Sequence, residues 1–556
     1  MLTTYGENID REAPRGEYPR PQLKRDSFLS LNGLWEFTGT QQEGIPSRFA
    51  AEICVPFPPE SQLSGIGRPT PKGYTLWYRR SFVLPADFNR GRVLLHFDAV
   101  DQIAAVWFNG EKAAEHAGGY TPFTVDVTAL LQEENTVLVR VEDKGDRGRC
   151  AFGGQLRTGS WSGIWQSVWL ESVPAAYIDS LQIVPRFAER AVELTVFPGG
   201  DAANGSPCTA LLGGVLYEMN CGLAYTLPLP EDAPVWTPEQ PALIPLEVTL
   251  GEDRVESYCA LREFTAGRSE DGYPCFLLNG EPCFVSGAVY RALWPDGLAA
   301  APSGEAMAAD ILHAKAMGFN SIRLTDKVEA PLFYHYCDRL GIMVWQGMPT
   351  GGKDTPPIFA AKDYQYGFYG RKDPDSRKQH MRELREMVQT LRSSPSVVLW
   401  ELFDAGRGQF DTDNLQRFVD ELDGSRLIDR SSGVDTGFGQ VKSLHLFGKK
   451  LRFGVDQAGR PTVLSACGGF GEIARGHTVP GKPKATQLFD SPQGLLFAIE
   501  CFYEDVVEPA RAQGLAGCFY SQLTDVGCDV TGLVSYDRKI RKLAPRQVKK
   551  IFDLRF

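Results

Sequence analysis

In the first half of the chain, apolar residues come in short alternating runs that break at turn residues. Gly33–Phe37, Trp77–Val83, Val93–Phe97, Ala104–Phe108 and Thr136–Val141 read as strands. Asn109-Gly110, set between two apolar runs, is a hairpin turn signal. Many short strands over residues 28–175 predict a β-sandwich. Strands continue over 177–263, where Leu246, Val248 and Leu250 alternate with polar neighbours; that length suits a small immunoglobulin-like sandwich. From about residue 270 the rhythm changes. A hairpin at Leu277–Gly280 and a strand at Cys283–Val285 are followed by a helix over Glu305–Met317, stopped by Gly318. Strand Ser321–Arg323, helix Pro331–Leu340, strand Ile342–Trp345, helix Ser376–Leu391 and strand Val397–Leu402 complete an alternation that reads as parallel βα units, with room for a (β/α)8 TIM barrel. The expected division is a jelly-roll β-sandwich at 1–175, an immunoglobulin-like β-sandwich at 176–265 and a barrel at 266–556. Residues 472–490 read as the most loop-like stretch.

Composition narrows the functional classes. Of 556 residues, 58 are Lys or Arg and 69 are Asp or Glu, a net charge of −11. An acidic chain is a poor partner for nucleic acid or an anionic membrane. No eighteen-residue apolar stretch and no leader-like apolar segment occur, so a cytoplasmic protein is expected. The twelve cysteines form no CxxC and the seven histidines no HxxxH, so neither metal nor cofactor is expected. Barrel function belongs where strands end. Those ends carry Tyr290-Arg291, Arg323–Lys327, Trp345-Gln346, Glu401–Ala405, His445 and Ser465–Gly469, which suggests one shared pocket.

These residues resemble glycoside hydrolase family 2, the family of β-galactosidases, β-glucuronidases and β-mannosidases. LNGLWEF (31–37), VPFPPESQLSGIG (55–67), WYRRSF (77–82), GGYTPFTVDVT (118–128) and SGIWQSVWLE (162–171) look like its sugar-binding domain. FLLNGEPCFVSG (276–287), MGFNSIR (317–323), CDRLGIMVWQGMP (337–349), SPSVVLWELF (394–403), VKSLHLFGKK (441–450) and QLTDVGCDVTGLVSYDRK (522–539) match its barrel pattern. The resemblance implies a retaining glycosidase, whose two carboxyl groups stand about 5–5.5 Å apart. One protonates the leaving oxygen and the other forms a covalent glycosyl-enzyme.

Both carboxyl positions depart from that pattern. Against a family stretch like WxxFNEGWGQFD, residues 400–411 read WELFDAGRGQFD, so the acid/base position is Ala405, preceded by Asp404. Against LSEFGGY, residues 464–470 read LSACGGF, so the nucleophile position is Ala466. Leu324 and Thr325 stand where relatives carry Lys-His, Gly347 where an acid is common, and Ser393-Ser394 where Asn-His is common. An alanine can neither attack carbon nor move a proton.

The sequence therefore leaves several functional readings. The first is a pseudoglycosidase that binds a carbohydrate without retaining hydrolysis. The second is a working hydrolase in which Asp404, its pKa raised by burial, and Glu472 on a loop act as an inverting pair; such a pair needs a gap of about 6.5–9.5 Å. The third is a non-catalytic assembly role, and a homo-oligomer is compatible with all of them. Arg323 and His445 match positions that shape the sugar subsite, Trp345 and Trp400 are candidates to stack on a sugar, and Tyr290 lines the pocket. Arg291 and Arg407 are extra cations that would favour an anionic sugar. Glu401 is expected in the barrel wall or interior.

Overall fold

A computed structural model describes residues 1–143, 161–351, 371–448 and 451–554. The N-terminal body is a sandwich of two antiparallel sheets. A six-stranded sheet has the order 51–55, 33–40, 75–82, 135–142, 103–108, 111–117. It faces a four-stranded sheet in the order 28–30, 168–173, 92–97, 123–126. The alternation in the sequence reappears as burial: along Asn135–Glu142 every second residue is buried. Trp35, Tyr78, Phe97, Val106, Val139 and Leu170 fill the space between the sheets. At the predicted hairpin, Asn109 and Gly110 have φ of 50° and 86°, the left-handed pair that lets Ile103–Phe108 turn tightly into Glu111–Ala117.

A second sandwich follows, with sheets 176–186, 191–200, 224–228 and 215–220, 207–212, 244–250, 253–259. Ile178, Leu194, Leu246 and Val255 lie in its core. Buried Arg25 ties the two sandwiches together, donating to Glu171 at 3.0 Å and to Asp253 at 2.7 Å. A three-stranded meander, Phe264–Arg268, Pro274–Leu278 and Glu281–Cys283, leads into the barrel. Its Phe264 and Phe276 pack with Trp345 and Phe519 of the barrel interior.

The barrel strands are β1 (Val285–Tyr290), β2 (Ser321–Leu324), β3 (Met343–Gly347), β4 (Val397–Glu401), β5 (Leu427–Asp429), β6 (Lys442–Phe447), β7 (Thr462–Gly468) and β8 (Leu515–Ser521). They pair in parallel in the order β5-β4-β3-β2-β1-β8-β7-β6, with β5 and β6 not paired to each other, so the barrel is nearly closed. Helices α1 (Gly304–Ala316), α2 (Pro331–Leu340), α3 (Pro374–Leu391), α4 (Thr412–Leu422), α5 (Pro492–Phe502) and α6 (Pro545–Phe552) lie outside it. Gly341 closes α2 in the left-handed conformation at φ 73°, as its position after Leu340 predicts.

The strand–helix alternation breaks after β5 and after β6, where the described residues form no helix. Those connections carry Gly433, Gly437 and Gly439, then Gly454, Gly459 and Pro461, with no 3.6-residue apolar pattern to hold a helix on the barrel. The stretch expected to be a loop contains a short strand, Gln487–Phe489, paired in parallel with Phe470–Glu472.

Candidate functional site

The C-terminal ends of β2, β4, β5, β6 and β7 meet around one guanidinium. Arg323 lies at the end of β2 and is 1% exposed. Its Nε and Nη2 each donate to Glu401 at 2.6 Å, a bidentate pair with the last residue of β4. Nη2 also donates to Asp404 at 2.6 Å, and Nη1 to the carbonyl of Ser465 at 3.3 Å. One side chain thus links the residue before Ala405 to the residue before Ala466. Ala405 has φ 52° and donates its N–H to the carbonyl of Ser432 at 3.0 Å. Ala466 is 5% exposed within β7, paired in register with His445 of β6.

Charge is nearly balanced inside this network. Burial alone would raise Asp404, but Arg323 and Arg407 overcome it and hold the carboxyl well below its ordinary range. Arg407, three residues on, donates to Asp404 and lies 3.4 Å from Asp326. Burial, with Asp404 and Asp429 close by, pushes Glu401 up to about 8 against the opposing pull of Arg323. Burial likewise pushes Asp429 up to about 6. His445 is lowered to about 4, by burial and then by Arg323 and Arg407, so it is neutral near pH 7. Its Nε2 is 3.2 Å from Ser432 Oγ, which donates to Ser465 Oγ at 2.8 Å.

Several expectations change. Asp404 is ionised rather than raised, because two arginines reach it. Glu472 sits in the strand Phe470–Glu472 rather than on a loop, and its backbone carbonyl accepts from Lys542 at 2.6 Å. Trp345 has no exposed surface and packs on Phe276 and Phe519, so it is a core residue with no face for a sugar. Trp400 is also fully buried, its Nε1 donating to Asp423 at 2.9 Å. Tyr290 is buried and donates to Asp310 of α1 at 2.8 Å rather than presenting its hydroxyl at the barrel mouth. The rim cations are engaged too: Arg291 lies 3.7 Å from Asp529, and Arg407 is shared by Asp404 and Asp326. Arg323, His445 and Asp404 do come together, with Glu401 in the barrel interior. The sequence reading missed Ser432 and Asp429, polar residues at strand ends that carry no motif of their own, while Ser465 lies at a strand end it did single out.

At Gly347, the position where an acid is common, an added Cβ would stand 3.0 Å from the carbonyl of Leu324 and 3.6 Å from Glu401 Oε1. A carboxylate there would face another carboxylate. Among the described residues no group of His, Cys, Asp and Glu is arranged to hold a metal ion, and no helix is long and apolar enough to cross a membrane.

Comparison with known proteins agrees with this architecture. The family model for glycosyl hydrolases family 2, TIM barrel domain, matches residues 274–446, and that for the glycosyl hydrolase 2 galactose-binding domain-like region matches 72–151. A putative beta-glucuronidase of Formosa agariphila is 25% identical over 373 residues, covering 62% of this chain and 42% of that protein. A beta-galactosidase of Thermoanaerobacter pseudethanolicus is 26% identical over 349 residues, covering 59% and 44%. The matches thus span less than half the length of these two relatives. A beta-galacturonidase from Eisenbergiella tayi, solved with galacturonate, superposes with a TM-score of 0.75 at 19% identity, covering 97% of this chain and 98% of that one. At that identity the likeness speaks for the fold alone. The chain thus carries regions similar to the TIM barrel domain and the galactose-binding-like domain of glycosyl hydrolase family 2, which together span a little under half of its length.

Proposed function

We propose that this chain is a family 2 pseudoglycosidase, which holds a carbohydrate in the barrel mouth without hydrolysing it by the retaining route. The observation that carries the reading is the single guanidinium of Arg323 set between the neighbours of Ala405 and Ala466. Double displacement needs a nucleophilic carboxylate and a proton donor. Neither alanine supplies one, and among the described residues Asp404 and Glu401, the carboxylates nearest them, are both engaged. Asp404 is tied to two arginines and ionised, so it has no proton to give. Glu401 has both oxygens on Arg323 and no exposed surface, so it reaches no substrate. An inverting pair of Asp404 and Glu472 would need Asp404 as the protonated acid or as a base free to bind water, and the two arginines oppose both.

His445, only partly buried, gives the mouth a neutral hydrogen-bonding group of the kind that holds a sugar hydroxyl, with the fully buried Ser432 and Ser465 hydroxyls behind it. The test is twofold. Purified protein incubated with aryl β-glucuronide, β-galactoside and β-mannoside is expected to release no aryl alcohol above an Asp404→Ala control. A melting screen against the corresponding free sugars is expected to find at least one that stabilises the fold, as any ligand of the native state does. Turnover abolished by Asp404→Ala would refute the reading. So would a complete absence of stabilisation, which would leave an assembly role.

A further inference from the structure

The outer face of the four-stranded sheet in the first sandwich is unusual. Trp169, His96 and Thr124 stand side by side on it, since the register pairs Trp169 with His96 and His96 with Thr124. Their neighbours Leu95, Phe97, Val125 and Leu170 face the sandwich core. The Trp169 and His96 rings stack with centroids 4.0 Å apart, and His96 Nδ1 shares a 2.8 Å hydrogen bond with Thr124 Oγ1. Such a face ordinarily meets solvent. Here it looks across a cleft of about 640 Å³ toward the second sandwich and the C-terminal end of α3. Gln22 donates to the carbonyl of Ser393 at 2.8 Å and the Ile183 N–H donates to Ser393 Oγ at 3.2 Å, so all three bodies are fixed around it. The volume lies within the range of small-molecule sites, about 300–1,000 Å³, and such sites favour domain junctions.

Polar groups in the cleft are only partly used. Asp98 accepts from Trp169 Nε1 at 2.9 Å through Oδ1, and no described residue donates to its Oδ2. Arg20 pairs with Glu171 at 2.6 Å yet leaves 30% of its side chain exposed. Arg392, just past α3, makes one long bond of 3.4 Å to the carbonyl of Leu422. Apolar Leu181 and Phe197 lie beside them. Acceptor, donors and apolar surface together suit a ring compound with hydroxyls on its edge and C–H groups on its faces. A strong anion would meet Asp98, Asp179 and Glu386, and a strong cation would meet Arg20 and Arg392.

We propose that this cleft is a second ligand site, separate from the barrel mouth, for a neutral saccharide of one or two rings held by Asp98, Arg20 and Arg392. It does not depend on the reading of the mouth. Calorimetric titration of the full chain with methyl β-galactoside, methyl β-glucoside, lactose and cellobiose tests it. Ser180→Trp fills the cleft from the second sandwich, and Thr390→Trp fills it from the exposed side of α3, so one failing to fold leaves the other. His445→Ala alters the mouth instead. The expected result is a probe that binds wild type and His445→Ala within about twofold, and that either tryptophan variant weakens by about tenfold or more. Binding that survives both tryptophan variants, binding lost only in His445→Ala, or no binding by any probe would overturn it.

Discussion

Arg323→Met removes the cation on which the barrel mouth is built. The variant fills much of the same volume but leaves Glu401 and Asp404 facing each other, with Asp429 nearby, in the barrel interior. Arg323 makes three contacts of 2.6 Å to carboxylate oxygens and one of 3.3 Å to a carbonyl. Charge-assisted hydrogen bonds are worth about 1.5–3 kcal/mol each, but these share one guanidinium and do not add. Truncating one partner of a buried ion pair costs about 3–5 kcal/mol, because a charge is left buried and uncompensated, and that is the loss expected here. The cost depends on pH with a definite sign. In the wild type Asp404 is held below its ordinary value, so its contribution is present above about pH 4 and lost as pH falls. Glu401 is raised by burial already in the wild type; in the variant Asp404 loses its cation and is raised too, so it adds instability as pH climbs past its unfolded value. The gap between wild type and variant therefore widens from pH 5 to pH 8. Urea unfolding followed by tryptophan fluorescence at both pH values measures it. Arg323→Met combined with Glu401→Gln and Asp404→Asn should recover most of the loss. An unchanged midpoint at pH 8, or a gap that grows on acidification, would refute the reasoning.

Other consequences are simpler to state. His445 is lowered from 6.5 to about 4, so its contribution is complete above about pH 6.5 and declines as pH falls to 4. The full difference is at most about 3 kcal/mol before solvent screening, and His445→Gln should flatten the urea midpoint over that window. Gly433 has φ 73°, and an added Cβ would lie 2.4 Å from the His445 ring; Gly433→Ala should cost about 1–3 kcal/mol in denaturant titration. Trp345→Ala should destabilise by about 3–5 kcal/mol while leaving the affinity of any sugar bound at the mouth unchanged, since the ring is core. Ala405→Glu with Ala466→Glu should not give good turnover on aryl glycosides, because Arg323 is held by Glu401 and Asp404, and Leu324, Thr325 and Gly347 also depart from the family pattern. Strong activity from that double variant would show the pocket to be otherwise intact.

Much of the scaffold was legible because its signals are local. Alternation along Thr136–Val141, the Asn109-Gly110 turn and the Gly341 cap each have a nearby physical cause, and each appears in the structure. The reading of Ala405 and Ala466 as the two carboxyl positions rests on flanking residues that keep register with a family pattern. What failed was direction. Trp345 and Tyr290 sit at strand ends, where the sequence suggests a pocket, but their rings turn into the barrel floor and toward α1. Asp404 was misjudged because its charge is set by Arg323 and Arg407, and Arg323 comes from a strand 81 residues away. Burial by itself predicts a raised carboxyl; only the fold shows the cations that reverse it. The same fold shows carboxylates near both rim arginines, Asp529 by Arg291 and Asp326 by Arg407, which no local pattern in the sequence announces.

On the proposed reading, no carboxylate of the described residues at the barrel mouth serves as a nucleophile. Intact-protein mass spectrometry after incubation with activated 2-deoxy-2-fluoro β-glycosides tests it directly, since these reagents trap the covalent intermediate of a retaining enzyme. The account predicts an unchanged protein mass with the glucosyl, galactosyl and glucuronyl reagents. A stoichiometric gain of one fluoroglycosyl group, mapped to a carboxylate of the barrel, would contradict it.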